Sequence, residues 1–294
     1  MGLLAGPVLV VAMTLQLLDA HEISEFFSKQ PLLYQHLFWF YAHPLVYLII
    51  LPAYGIVSDA LSRDTGRGET GAFAYWPAAL SLVVVSILGF FVWAHHMFQS
   101  GLDPSAALVF SAASILVATP SSVLVVHWIG TLWTRRSLQL TAAGWASLAF
   151  LSLFVVGGLS GLVLAAPAIN VHLHDTYFVV AHLHYTLFGG AIFGLFAGLY
   201  AYWPTLFPGR KLGQTLGKLH VLLTYLAFNG TFGLMHLLGA AGMPRRYADP
   251  GSIPMFERFA PYQQVMTISA FVLGAAQLLL LLNIAASLIR RSAQ

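Results

Sequence analysis

Cysteine is absent from the 294 residues, and charge is scarce: Asp, Glu, Lys and Arg together make up 8%, against about 25% in an ordinary globular chain. The first absence removes disulfides, thiolate metal sites and cysteine nucleophiles. The second, beside 59% apolar residues, removes a soluble domain and leaves a membrane protein. Thirteen basic and ten acidic residues give a net charge of +3, too sparse for a basic face, so nucleic acid is excluded as a partner. What remains in excess is histidine. Twelve imidazoles in an apolar chain without thiols make nitrogen coordination the metal chemistry open to it.

A hydrocarbon core about 30 Å thick takes roughly 20 apolar residues per helix. Eight such stretches are legible, over residues 2–18, 33–58, 73–98, 105–133, 141–165, 178–203, 217–240 and 262–289, the first of them short. The expected fold class is all-α, a polytopic transmembrane bundle of about eight spans in a single membrane domain over residues 1–294. The opening Met-Gly-Leu-Leu has no basic n-region and no cleavage site after it, which argues against a signal peptide.

If the spans alternate, Arg63, Arg67, Arg135, Arg136, Arg210, Lys211, Lys218, Arg290 and Arg291 share one side, and Lys29, Arg245, Arg246 and Arg258 the other. The positive-inside rule turns the first group to the cytoplasm. Arg245-Arg246 then runs against the bias. The pair reads either as a receptor for the anionic groups of a buried ligand or as an exposed basic turn, and the residues alone leave both open.

Phe91-Val92-Trp93-Ala94-His95-His96-Met97-Phe98 carries two adjacent histidines at the end of the third span. Each buried imidazole must be satisfied in lipid, and one shared metal would serve both. His43-Pro44-Leu45-Val46-Tyr47 puts His43 and Tyr47 four residues apart, on one helix face. Pro44 is expected to bend the helix locally and aim His43 inward, with a plain proline kink beside a packed tyrosine as the equal alternative. In His182-Leu183-His184 the two imidazoles point about 200° apart on a regular helix, so they serve two different sites. Three nitrogen donors suit copper and one axial histidine per face suits haem iron. The constellation thus reads as a three-histidine copper facing a haem, with a second haem behind the same helix. His172-Leu173-His174-Asp175-Thr176-Tyr177 mixes imidazole and carboxylate, as a hard-cation or propionate-contact site would. His21, His36, His127, His220 and His236 read as packing, interface or loop histidines.

Taken together these motifs resemble subunit I of the haem–copper terminal oxidases. The resemblance runs through Tyr34-Gln35-His36-Leu37-Phe38-Trp39-Phe40, His43-Pro44 with Val46-Tyr47, Trp93-Ala94-His95-His96-Met97-Phe98, His174-Asp175-Thr176-Tyr177 with Val179-Val180-Ala181-His182 and His184, and Gly242-Met243-Pro244-Arg245-Arg246-Tyr247. It implies that His43, His95 and His96 bind copper and that Tyr47 is covalently bonded to His43. It implies that His182 is the axial ligand of the oxygen-binding haem and His184 one of two on a low-spin haem. Arg245 and Arg246 match haem propionate contacts, and His174 with Asp175 match a magnesium site shared with subunit II. The activity implied is reduction of O2 to water between haem iron and copper, coupled to proton transfer across a bacterial cytoplasmic membrane. The donor is cytochrome c or quinol, and the partners are subunit II and subunit III.

Three departures accompany the resemblance. Leu45 stands where the commonest pattern has a proton-delivering Glu, with Tyr41-Ala42 before His-Pro, as in a subclass that lacks that Glu; Tyr41 then replaces the carboxyl. Leu124 stands where a proton-path Lys is usual, leaving Tyr47, Ser58, Ser121 and Ser122 as hydroxyl stations. The chain matches the fifth to twelfth helices, so a partner chain or a missing segment is expected to supply the first four and the other axial histidine. Rival readings are a nitric oxide reductase-like member, which the His43–Tyr47 pair opposes, and a decayed scaffold without cofactors, which the intact histidine set opposes.

Overall fold

The computed structural model describes residues 1–66, 73–134, 139–249 and 253–289. Arg67, Arg135, Arg136, Arg290 and Arg291 lie outside the described residues. Everything described is helix and connection, with one isolated antiparallel bridge between Thr176 and Pro244.

Thirteen α-helices run in order among the described residues. They are α1 (Gly2–Ala20), the single turn α2 (Phe26–Lys29), α3 (Pro31–Asp64), α4 (Tyr75–Phe91), α5 (Pro104–Leu116), α6 (Ala118–Trp133) and α7 (Ala142–Leu164). The rest are α8 (Pro167–Leu173), α9 (Tyr177–Leu183), α10 (Phe193–Leu206), α11 (Gln214–Phe228), α12 (Leu234–Ala240) and α13 (Ala260–Ile289). Among the described residues seven stretches are long and apolar enough to cross a membrane, and α4, at 17 residues, is a shorter apolar helix. With it, the expected eight stretches are all helical. Their outward residues are those lipid accepts: Leu3 is 94% exposed and Ile289 83%.

Three local features depart from regular helices. The expected third span stops at Phe91, and Trp93–Met97, which holds His95 and His96, is a separate 3-10 turn. The stretch over 105–133 is two helices, parted at Val117. Pro120 lacks the N–H that would have continued the ladder from Leu116, so the break falls one turn before it. His184–Ile192 and Asn229–Gly233 are π-helical, a geometry that widens the turn and recurs at functional sites. By contrast α3 runs unbroken through Pro44.

The chain divides into two compact units. One comprises Met1–Leu51, Trp76–Val126 and Gly161–His174; the other comprises Pro52–Tyr75, His127–Ser160 and Asp175–Gln294. In the first, the rings of Phe40, Phe90, Trp93 and Phe110 pack edge to face between α3, α4, the 3-10 turn and α5. In the second, Tyr54, Trp128, Phe150 and Phe154 form an aromatic core, while α11 packs on α13 and α9 on α12. Thr141 caps α7: its hydroxyl accepts from Gly144 N at 3.1 Å and donates to the Asp64 carboxylate at 2.8 Å. Asp64 also accepts from Thr141 N at 2.9 Å, which ties the end of α3 to the start of α7.

Candidate metal and haem sites

The first unit brings together His43 from α3 and His95 and His96 from the 3-10 turn, with one nitrogen of each lying within 4.8 Å of the others. This is the one cluster of three or more His, Asp or Glu donors found among the described residues. His43 is 4% exposed. Its Nδ1 lies 3.1 Å from His96 Nε2. Two nitrogens at ~2.0 Å from one ion stand ~2.8 Å apart at a right angle and ~3.3 Å apart in a tetrahedron, so this spacing fits a shared metal. An all-imidazole donor set suits copper.

The neighbours orient each ring. Ser114 Oγ donates to Phe110 O at 2.6 Å, so at 2.9 Å it accepts from His95 Nδ1. That assigns the Nδ1–H tautomer and turns the Nε2 lone pair to the cluster. The His96 ring stacks on Trp39 at 3.8 Å and 9°. Tyr47 stands one turn from His43, ring centroids 5.1 Å apart at 68°. Trp93 Nε1 donates to His36 Nδ1 at 3.3 Å, so His36 steadies the turn that carries the ligand pair.

In the second unit, His182 and His184 face different neighbours. His182 Nδ1 is 2.9 Å from Gly157 O and 3.1 Å from Ser160 Oγ, both on α7. Ser160 gives its own proton to Gly157 O at 2.7 Å, so both oxygens accept from His182. His184 Nδ1 donates to Val180 O at 2.8 Å and its ring stacks on Phe232 at 3.9 Å and 14°. In each ring Nδ1 is so engaged, which leaves Nε2 for a ligand, and the two rings meet different elements. Two separate haem irons, one per imidazole, fit this donor set.

Arg245 has a partner within the chain. Its Nε donates to the Asp175 carboxylate at 2.8 Å, and its Nη2 contacts the same oxygen. Arg245 N bonds Asp175 O, and Tyr177 N bonds Met243 O, both at 2.9 Å, zipping the two segments together. Arg246 lies 3.8 Å from Asp175 with its side chain 72% exposed. Asp175 thus stands opposite two guanidiniums, and neither it nor His174 belongs to a cluster of three donors among the described residues.

The expected proton stations lie on α3 and α6. Ser58 accepts from Trp128 Nε1 at 2.8 Å and donates to Tyr54 O at 2.7 Å. Ser121 donates to the carbonyl of Val117, the residue between α5 and α6, Ser122 is exposed and Tyr41 half-buried. Sequence reasoning passed over Ser114 and Trp39. Trp39 stands four residues before His43, one helical turn away, which was a signal available to find it. Ser114 has no local signal because it reaches His95 only through tertiary packing.

The profile described as Cytochrome C and Quinol oxidase polypeptide I matches residues 1–272. The chain belongs to that family. Cytochrome c oxidase subunit 1 of Thermostichus vulcanus is 41% identical over 290 residues, covering 97% of this chain and 50% of the relative. The same subunit of Cereibacter sphaeroides is 41% identical, with 95% and 48% covered, and that of Bacillus subtilis 38%, with 96% and 45% covered. A solved heme-copper terminal oxidase dimer superposes with a TM-score of 0.77 at 24% identity, over 90% of this chain and 50% of that one. That likeness supports the fold. The chain therefore spans about half the length of the curated relatives it matches. As a member of that family with seven described stretches able to cross a membrane, it is an integral membrane protein of a family that carries haem and copper.

Proposed function

We propose that the chain forms the copper- and haem-binding part of a respiratory terminal oxidase that reduces O2 to water. The observation that carries the reading is the cluster of three imidazole nitrogens, one turn from Tyr47. Haem iron and copper, when bound, supply electrons to dioxygen. The chain's residues do the rest. His43 through Nδ1, and His95 and His96 through Nε2, hold copper. His182 and His184 each present Nε2 to a separate haem iron. Their second-nitrogen bonds fix the rings, so binding requires no reorientation. Arg245 and Arg246 face the propionates, Asp175 competing for the same guanidiniums, and His174 with Asp175 contribute to a magnesium site.

Tyr47 supplies a proton from its hydroxyl and is joined to His43. In that linkage His43 Nε2 bonds to a ring Cε, and each atom loses its hydrogen. The two electrons and two protons released are taken up by dioxygen. With Leu45 and Leu124 apolar, proton transfer runs through hydroxyls, Tyr41, Ser58, Ser121 and Ser122 among them. The wider assembly has subunits II and III, a chain or segment supplying four further helices and a second axial histidine, and cytochrome c or quinol as donor, in a bacterial cytoplasmic membrane. The test is metal analysis with optical spectroscopy of the purified chain. One copper and haem bound through His182 are expected; a chain that takes up neither overturns the reading.

A further inference from the structure

We propose that Gly89 is the positioning residue of Tyr47: carrying no Cβ, it lets α4 close on the phenol ring and holds that ring beside His43. The proposal rests on the reading of Tyr47 given above and adds what aims it. Gly89 is buried on α4. A methyl group there would lie 2.6 Å from Tyr47 Cδ2, 2.7 Å from Cε2 and 2.8 Å from Cγ. Carbon atoms pack at about 3.5–4.0 Å, so none of the three contacts is tolerable.

The three atoms form one edge of a rigid ring, and Cγ sits at its root. Rotating a flexible end group therefore cannot relieve them. Parting the helices is opposed by the Phe40 ring, about two turns before Tyr47 on α3, which meets Phe90, the residue after Gly89, at 5.1 Å and Trp93 of the 3-10 turn at 5.2 Å. The remaining response is for the ring to turn away, changing the 5.1 Å and 68° relation to His43. Glycine is also a poorer helix former than alanine, so its place inside α4 calls for a packing reason. Such a reason is lacking at Gly55 of α3, Gly158 of α7 and Gly274 of α13, where nothing stands within 4 Å of an added methyl.

The test compares the copper-loaded full chain with Gly89→Ala, and with Gly55→Ala as a control for adding a methyl to a helix. Mass spectrometry of the tryptic peptide containing His43 and Tyr47 reads the linkage, which lightens it by two hydrogens. The parent and Gly55→Ala should carry the loss. Gly89→Ala should keep stoichiometric copper and lack it. An equally linked peptide in Gly89→Ala overturns the proposal, and so does loss of copper, which would place the effect on the triad. Thermal unfolding gives a readout independent of the linkage. Gly89→Ala should lower the midpoint by several degrees with Tyr47 present, and not in a Tyr47→Ala background. If the parent peptide is unlinked, the reading of Tyr47 as bonded to His43 falls. The positioning claim then stands on this cycle, and an equal midpoint shift in both backgrounds overturns it.

Discussion

His95 Nδ1 lies 2.9 Å from Ser114 Oγ, whose own proton is committed to Phe110 O at 2.6 Å. The hydroxyl can then only accept from the imidazole, and the ring is held with Nε2 toward His43 and His96. Removing such an outer partner typically weakens metal affinity about 10–100-fold. Ser114→Ala should therefore weaken copper binding in that range by competition with a chelator, and Ser114→Thr should restore it. Unchanged affinity in Ser114→Ala would remove the tautomer argument.

His182 is held by Gly157 O and Ser160 Oγ, in a different unit from His43, His95 and His96. His182→Ala should abolish one haem while copper content stays at the parent level. Pyridine haemochrome assay with metal analysis checks this. Loss of both metals together would mean that the two sites are not independent.

The Arg245–Asp175 pair is partly exposed, at 20% and 51% of the two side chains, and such pairs contribute roughly 0–1 kcal/mol. Asp175→Asn should shift unfolding free energy by less than about 1 kcal/mol. Arg245→Gln with Arg246→Gln should weaken haem retention. Unchanged haem content and spectra in the double variant would leave the arginines as a surface turn.

Thr141 caps α7 by accepting from Gly144 N, and Asp64 completes the corner. Thr141→Ala should cost about 1 kcal/mol of stability, as other N-cap losses do. Denaturant unfolding in detergent measures it, and a change below about 0.3 kcal/mol would show that the Asp64 bonds alone hold the corner.

Much of this was legible in the sequence because membrane physics leaves few options. Long apolar runs must be helices, and the eight stretches are. The grouping of the three histidines was legible because adjacent His95-His96 and the His43–Tyr47 spacing are costly to bury without a purpose. The unread parts depend on packing. A regular helix was expected through residue 98, yet the chain leaves it at Phe91 and forms a 3-10 turn. The 200° argument for His182 and His184 presumes 3.6 residues per turn, whereas the helix becomes π-helical at His184. The two rings nonetheless engage different elements. Whatever local bend Pro44 imposes, it does not end the helix, and α3 continues through it. Ser114 and Gly89 carry no motif, since their roles come from side chains that reach them across space.

The most direct test of the central claim is X-ray absorption at the copper edge of the copper-loaded full chain, beside His96→Ala. The account predicts one copper per chain with three imidazole nitrogens at about 2.0 Å, and loss of that copper in the variant. Stoichiometric copper retained in His96→Ala with an unchanged spectrum would contradict it.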